Sequence, residues 1–186
     1  GFEIAFGGAP EGEALGRREP VTLDLGEGLR FRLRGRIDRI DRLVDGTYEV
    51  MDYKTGMLRL PGGLDGPFAG GRQLQHALYA LVAVELLRER DAQARAVGSY
   101  YFPTARGRAH RLVRPAETQA QVAVVLRDLF DVLARGAFVH SADLDEDCRY
   151  CEFDRACGRR AAERAKAKLA ADNPALDAYR RLGGHA

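Results

Sequence analysis

The stretch that most constrains the fold is GRIDRIDRLVDGTYEVMDYK, residues 35–54, with Asp45-Gly46 between two β-prone runs. An Asp-Gly pair in that position is a strong local signal for a β-hairpin. In a strand, residues i and i+2 point to one face, so Asp52 and Lys54 emerge together. The first run adds another acid, Asp38. We therefore predict a hairpin whose open end can hold a hard divalent metal and position a water.

The number of residues in the turn decides whether the two acids meet. A two-residue turn at the Asp-Gly pair would place Asp38 opposite Tyr53 and direct Asp52 to the other face. The two aspartates share a face only if the loop holds an odd number of residues or the hairpin carries a β-bulge. Three apolar residues of the first run change parity, which fits a bulge or a sharp bend: Ile37, Ile40 and Leu43.

Three blocks in this order resemble the nuclease domain of RecB-like proteins: Gly35–Arg39, Asp52–Lys54 and Gln75–Tyr79. Such domains belong to the PD-(D/E)XK nuclease superfamily, and the likeness is greatest to AddB-type helicase–nuclease subunits, from about Pro20 to Cys157. The resemblance implies an α/β, restriction-endonuclease-like fold, a central mixed sheet flanked by helices, with a C-terminal cysteine-rich segment. It also implies a DNA nuclease within an ATP-dependent helicase–nuclease of double-strand break repair and recombination.

The resemblance also implies roles for individual residues. Asp38, Asp52 and the carbonyl of Tyr53 would bind Mg²⁺ or Mn²⁺, and Lys54 would hold the attacking water. Two residues from the third block would support the site, Gln75 and Tyr79. The family normally supplies a further His or Glu ligand from a helix before the first strand, and the chain offers only poor substitutes there: Glu3, Glu11 and Glu13. We therefore expect weak metal binding and low activity of this chain alone.

Basic residues leading to the acids suggest a path for DNA. The net charge is only +2, so affinity for nucleic acid must come from local patches. Arginines alternate along the strand before Asp38, and we predict DNA contacts from Arg34, Arg36 and Arg39. The competing interpretation is a solvated strand face that resists edge aggregation. Single-stranded DNA ends and a helicase subunit or domain are the expected partners.

The remaining elements are predicted from periodicity and from glycine and proline breakers. A short strand covers Val21–Leu25, and a long strand runs from about Leu29 into the hairpin. A glycine-rich loop, 55–71, is expected near the active end. Two helices are predicted after this loop, at Arg72–Arg90 and Ala116–Arg135, and Leu133 is expected on the apolar face of the second. Two strands are predicted between them, at Ala94–Phe102 and His110–Val113. A last short helix is expected from Ala175 to Arg181.

The three cysteines form a C-x2-C-x5-C pattern, Cys148, Cys151 and Cys157, in a segment spanning 142–160. This pattern favours a metal or cluster site in a reducing, cytoplasmic compartment over a disulfide framework. In AddB-like proteins three cysteines spaced this way join a distant fourth to bind a [4Fe–4S] cluster, and no fourth cysteine precedes them here. Zinc held with His140, and three free thiols, are the alternatives that stay open.

The length of 186 residues suits one nuclease domain over 1–186, expected to be a fragment of a longer protein. No apolar run approaches a membrane span, and we expect no signal peptide in the first residues, since no basic segment precedes an apolar one there. Two alternatives to catalysis stay open: a non-catalytic DNA-binding or structural module, and a zinc-binding interaction domain. The intact set of two acids and a lysine favours the enzyme.

Overall fold

The structure is a computed structural model that describes residues 1–8, 15–55, 66–103, 109–139, 151–158 and 160–185. The predictions for Glu11, Glu13, His140 and Cys148 lie outside the described residues. The chain divides into two compact units, Gly1–Val125 with His185–Ala186, and Leu126–Gly184. The prediction of a single nuclease domain over 1–186 stays a prediction.

A five-stranded mixed sheet forms the centre of the first unit. Its strands lie in the order β1-β4-β5-β6-β7, and each neighbouring pair is antiparallel except β5 and β6, which are parallel. Because parallel strands need a crossover connection, helix α1 lies between them in the chain. The predicted central mixed sheet flanked by helices is confirmed, with these bounds: β1 Phe2–Phe6, β4 Gly35–Arg42, β5 Tyr48–Tyr53, α1 Gln75–Leu87, β6 Ala96–Phe102 and β7 His110–Val113.

The predicted long strand from Leu29 into the hairpin is wrong, because the chain forms two strands there. β3 (Arg30–Leu33) pairs with β2 (Val21–Asp24) in a separate two-stranded sheet, and β4 begins only at Gly35. The break falls at Arg34, against the turn at Gly7. A Cβ placed on Gly7 would lie 2.4 Å from the Arg34 Cβ, so only glycine allows the two segments to pass so closely.

The edge strand β1 was not predicted, although it belongs to the main sheet. It pairs antiparallel with β4, and the pairs Phe2↔Arg39 and Ile4↔Ile37 flank Glu3. Glu3 has a φ of +48°, which interrupts the extended backbone of β1 across from Asp38. The pattern FEIAF is too short for alternation to distinguish a strand from a loop.

Helix α1 packs on β5 and β6 and closes the core of the first unit. The approach is closest at Gly98, where a Cβ would lie 2.3 Å from the carbonyl oxygen of His76, so only glycine fits. The helix begins at Gln75 rather than Arg72 because the preceding residues form a turn, in which the Gln73 N–H donates to the Phe68 carbonyl (3.0 Å). The core residues of this unit are Ile4, Phe6, Ile37, Ile40, Val50, Ala80, Val82, Ala83 and Leu86, among others.

Two other predicted boundaries shift because short turns occupy the ends of the elements. Helix α1 ends at Leu87 rather than Arg90, where the Arg90 N–H donates to the Leu87 carbonyl at 2.8 Å. Strand β6 begins at Ala96 rather than Ala94, because the Ala94 N–H closes a turn on Asp91 at 3.0 Å. These turns satisfy the backbone groups that a helix end leaves unpaired.

The second unit is helical. Helix α2 (Glu117–Arg135) begins in the first unit and ends in the second, where Arg181 bonds Asp128 at 2.7 Å. Leu133, predicted on the apolar face of this helix, is 49% exposed, while Val132 beside it is buried. Within the described residues, no helix is both long and apolar enough to cross a membrane. The later elements are short: α3 Asp154–Cys157, α4 Ala161–Ala170, a 3₁₀ turn Pro174–Leu176 and α5 Asp177–Gly183.

Candidate metal-binding and nuclease site

The hairpin turn has the odd length that the two acids require. Leu43 N–H donates to the Thr47 carbonyl (2.7 Å), which leaves three residues in the loop, Val44 to Gly46. Gly46 N–H donates back to Leu43 (3.0 Å), and Gly46 has a φ of +84°. A tight turn followed by a left-handed glycine is a common three-residue hairpin. The Asp-Gly pair therefore marks the turn correctly, but the loop is not the two-residue type.

This register brings Asp38 and Asp52 together at the open end of the hairpin. The paired ladder ends at Arg39↔Met51, one step before Asp38 and Asp52, so both acids lie where the hairpin opens, and the charge of Asp38 acts on Asp52. The Asp38 Oδ2 atom accepts a hydrogen bond from the Tyr53 N–H at 2.8 Å, which holds the carboxylate against the peptide after Asp52.

Lys54 lies beside Asp52, as the alternation of the strand predicts. Its ammonium Nζ is 2.5 Å from Asp52 Oδ2 and donates a hydrogen bond to Gln75 Oε1 at 3.1 Å. The contact with Asp52 is an ion pair that lacks the angles of a regular hydrogen bond. Gln75 is the first residue of α1, so the beginning of this helix supplies the hydrogen-bond acceptor for the ammonium of Lys54, the residue directly after β5.

The Asp52 carboxylate sits in a low-dielectric setting, because the residue is only 7% exposed. This burial is the main cause that raises the pKa of Asp52 above its ordinary value. The Lys54 ammonium opposes the rise in pKa, and the negative charge of Asp38 adds to it. The two acids therefore interact electrostatically, as carboxylates that share one site do.

The predicted oxygen ligands fit a hard divalent cation. Two carboxylates and the carbonyl of Tyr53 are the ligand type that Mg²⁺ and Mn²⁺ prefer. The position of Asp52 Oδ2 already accommodates a positive charge, because the Lys54 ammonium lies 2.5 Å from this buried oxygen. In the part of the chain that the structure describes, no three side chains of His, Cys, Asp or Glu form a metal-binding group. A complete coordination shell would therefore include waters or substrate oxygens.

Tyr79 lies one helical turn beyond Gln75 and contacts the beginning of β4. Its ring meets Phe6 edge to face at a centroid distance of 6.0 Å. A Cβ on Gly35 would lie 3.3 Å from the Tyr79 hydroxyl, so glycine is the residue that fits here with least displacement. The structure thus places the Tyr79 hydroxyl next to Gly35, at the beginning of the strand that carries Asp38.

The three predicted DNA-binding arginines differ in their surroundings. Arg34 and Arg36 are exposed, and Arg36 makes a long ion pair with Glu3 (3.5 Å). Arg39 instead pairs with Asp41 at 2.6 Å, donates to the Tyr53 hydroxyl and lies 5.0 Å over the Phe2 ring. These partners, Asp41 first, raise the pKa of Arg39 above its ordinary value. Arg34 and Arg36 are therefore available to a ligand, while Arg39 is already engaged.

A buried polar group behind the site was not predicted. His76 and Tyr100, each 2% exposed, share a hydrogen bond of 3.2 Å between Nδ1 and the hydroxyl. Burial, and next the charge of Arg114, lower the pKa of His76 to about 4. Burial, and next the charge of Asp52, raise the pKa of Tyr100 to about 12. The signal available in the sequence was the position of His76 directly after Gln75.

Arg114 completes this group from the end of β7. It is 4% exposed, and its Nη2 donates to Gln73 Oε1 at 2.9 Å and to the Gly66 carbonyl at 3.1 Å. A buried guanidinium needs such acceptors, since an unpaired charge is costly to bury. Arg114 thereby ties the residues just before α1 to the sheet.

Two of the three cysteines are described, and both are free and half-buried. Cys151 Sγ accepts a weak hydrogen bond from the Phe153 N–H (3.4 Å), and Cys157 ends the short helix α3. Because the prediction also needs Cys148, and zinc would need His140, the identity of this site stays a prediction.

The chain matches a known protein family over most of its length. A family model described as the PD-(D/E)XK nuclease superfamily matches residues 1–158. A protein of Symbiobacterium thermophilum, named as a subunit of an ATP-dependent helicase/deoxyribonuclease, is 45% identical over 82 residues, 41% of this chain and 7% of that protein. Proteins with the same name from Acetivibrio thermocellus and Ruminiclostridium cellulolyticum are 40% and 42% identical over 58 and 59 residues.

These relatives are far longer than the chain. The two last-named matches each cover 30% of this chain, and 4% and 5% of the respective relatives. The matched segments therefore span less than a tenth of the length of each of the three.

Proposed function

Since the chain belongs to the PD-(D/E)XK nuclease superfamily, we propose that it is a metal-dependent deoxyribonuclease domain that hydrolyses DNA phosphodiester bonds. The observation that carries the proposal is the meeting of Asp38, Asp52 and Lys54 at one end of the hairpin. Two acids beside a lysine suit phosphodiester hydrolysis. This reaction needs neutralisation of the negative charge on the phosphate and a water oriented for attack.

Each residue of the site has a definite task in this proposal. Asp38, Asp52 and the Tyr53 carbonyl would hold Mg²⁺ or Mn²⁺, which polarises the scissile phosphate and makes a bound water more acidic. Lys54 donates a hydrogen bond to the attacking water and offsets negative charge that develops on the phosphate. Gln75 limits the positions open to the lysine, because its Oε1 already accepts from Nζ at 3.1 Å.

Two further groups of residues complete the proposed site. Tyr79 packs against Phe6 of β1 and lies close to Gly35 at the beginning of β4, and so supports the strand that carries Asp38. Arg34 and Arg36, both exposed on the approach to the acids, would contact the phosphate backbone of the DNA. Arg39 contributes to the same surface only if its ion pair with Asp41 opens.

We propose further that the domain works within a longer helicase–nuclease that acts on single-stranded DNA ends during double-strand break repair and recombination. The support is the name that the three relatives share, a subunit of an ATP-dependent helicase/deoxyribonuclease. The C-x2-C-x5-C segment would bind a [4Fe–4S] cluster in that longer protein, with a fourth thiolate from elsewhere. A cytoplasmic location follows from the same proposal.

The test is cleavage of labelled single-stranded DNA by the longer protein, with Mg²⁺ and with EDTA. Asp38→Asn and Asp52→Asn keep the side-chain shape but remove the charge, and each is expected to lower the cleavage rate by at least about a hundredfold, since both carboxylates are metal ligands. Asp172→Asn, at an exposed acid of the second unit, is the matched control and should cleave normally. Wild-type rates from both site variants, or cleavage that persists in EDTA, would refute the proposal.

A further inference from the structure

The ring of Tyr100 lies next to the proposed reacting lysine. Tyr100 is on β6, which runs parallel to β5, and its register partner there is Asp52. Residues paired in register point to the same face, so Tyr100 and Asp52 both face α1. The Lys54 Nζ atom lies over the Tyr100 ring, 5.4 Å from its centroid. This distance is within the range of a cation–π contact.

The orientation of the Tyr100 ring is fixed by its contacts with His76 of α1. The Tyr100 hydroxyl is hydrogen-bonded to His76 Nδ1 at 3.2 Å, and the two rings meet at 64° with centroids 5.7 Å apart. The His76 ring also contacts the ring of Phe68, again with centroids 5.7 Å apart. All three residues are 2% exposed, so they form a closely packed group of rings in the interior.

The lysine needs such support because its own partners are few. Its side chain is 34% exposed, and a long flexible side chain that reaches solvent samples many rotamers. Asp52 would share its charge with a metal in the proposed mechanism, which weakens its hold on the ammonium. Gln75 and the Tyr100 ring are the described neighbours whose hold on Nζ does not depend on that carboxylate.

We propose that Tyr100 is a positioning residue, whose ring face holds the Lys54 ammonium near Asp52 and Gln75, with His76 fixing the plane of the ring. The effect on catalysis rests on the proposed nuclease function, while the contact itself does not. Tyr100 touches neither metal nor DNA in this proposal and acts through the lysine. Phenylalanine at this position keeps the ring and loses only the hydroxyl, whereas leucine removes the cation–π contact.

The chain is well suited to a direct test, because lysine occurs only at positions 54, 166 and 168. Selective ¹³C labelling of lysine in the 186-residue chain gives three sets of side-chain NMR signals, and Lys54→Ala identifies the set of interest. Protons above an aromatic ring are shifted upfield by its ring current. We expect the Lys54 Cε protons upfield of those of Lys166 and Lys168, which are both exposed.

Variants separate the contact from general packing. Tyr100→Phe should keep the upfield shift, and Tyr100→Leu should move the Lys54 signal to the position of the other two lysines. Phe102→Leu is the matched control, since Phe102 is a buried aromatic on the same strand and face, 1% exposed, and should leave the shift in place. A wild-type Lys54 signal at the position of the exposed lysines, or an unchanged signal in Tyr100→Leu, would overturn the inference.

The catalytic consequence is measured separately in the longer protein. Loss of a cation–π contact predicts that Tyr100→Leu lowers kcat by about twofold to thirtyfold, with the Kd for DNA unchanged. Phe102→Leu should keep kcat within about twofold of the wild type, because it leaves the contact intact. If the wild type shows the upfield shift but no cleavage, the nuclease proposal fails and the contact stands; an unchanged kcat in Tyr100→Leu would overturn the positioning role.

Discussion

The buried His76 makes a specific prediction about stability and pH. Its pKa is about 4 in the folded protein, because burial and the nearby Arg114 charge disfavour the imidazolium, and its ordinary value is 6.5. Between pH 6.5 and about pH 4, His76 is protonated in the unfolded chain but stays neutral in the folded one. The neutral imidazole therefore contributes stability that is fully present above pH 6.5 and is lost as the pH falls toward 4. Each pH unit of that interval corresponds to about 1.4 kcal/mol, so His76 costs about 3 kcal/mol of stability by pH 4.

The measurement is urea unfolding of the wild type and of His76→Gln at several pH values from about 7 to about 4. Glutamine keeps a polar group that can bond the Tyr100 hydroxyl but cannot be protonated. The other titrating groups are shared by both proteins, so their contribution cancels in the difference. We expect the wild type to lose about 3 kcal/mol more than the variant over this interval. Parallel losses in the two proteins would refute the assignment of a neutral, buried His76.

Other predictions follow from single contacts. Glu49 has a 2% exposed side chain bonded to Arg111, which is itself 46% exposed, so Arg111→Met should lower the unfolding free energy by about 1–3 kcal/mol, and adding Glu49→Met should restore much of it. Arg34→Ala should weaken DNA binding equally for all sequences and reduce the salt slope by about 1, whereas Arg88→Ala, at the other end of α1, should not. Cys151→Ser should destabilise the C-terminal segment more than a generic surface change does, because a metal or cluster ties that segment to the domain. Iron, zinc and sulfide analysis of the longer protein decides which, and absence of all three after anaerobic purification leaves free thiols.

The arrangement of the candidate site in the hairpin was largely predictable because its residues are close together in the sequence. The Asp-Gly pair located the turn, and the strand period placed Asp52 and Lys54 on one face. The alternation of the strands required a loop with an odd number of residues for the two acids to share a face, but it could not show that such a loop forms. The hydrogen bond between Leu43 and Thr47 closes a loop of three residues. Whether a turn has two or three residues depends on strand twist and packing, which a dipeptide does not determine.

What the sequence did not predict depends on contacts between distant residues. The break at Arg34 arises from the close passage of Gly7, and β1 is a strand only because β4 offers it an edge. The pair of His76 and Tyr100 likewise exists only once α1 packs on β6 at Gly98. Each of these features joins segments that are far apart in the chain, and local periodicity carries no information about them.

The arginines show the same limit at the scale of side chains. Alternation correctly predicted that Arg34 and Arg36 lie on the exposed face. It could not predict that Arg39 would be engaged by Asp41 and by the Tyr53 hydroxyl, since those contacts depend on the register of the hairpin. The same distinction separates a patch that binds DNA from one that is internally neutralised.

The most direct test of the central claim is the rate of Mg²⁺-dependent DNA cleavage by Lys54→Ala in the longer protein. Lys166→Ala is the matched control, because Lys166 is an exposed lysine of α4. The hairpin site predicts that Lys54→Ala abolishes cleavage while the protein stays folded and its Kd for DNA stays close to that of the wild type, and that Lys166→Ala cleaves normally. Cleavage by Lys54→Ala at the wild-type rate would contradict the assignment of this hairpin as the nuclease site.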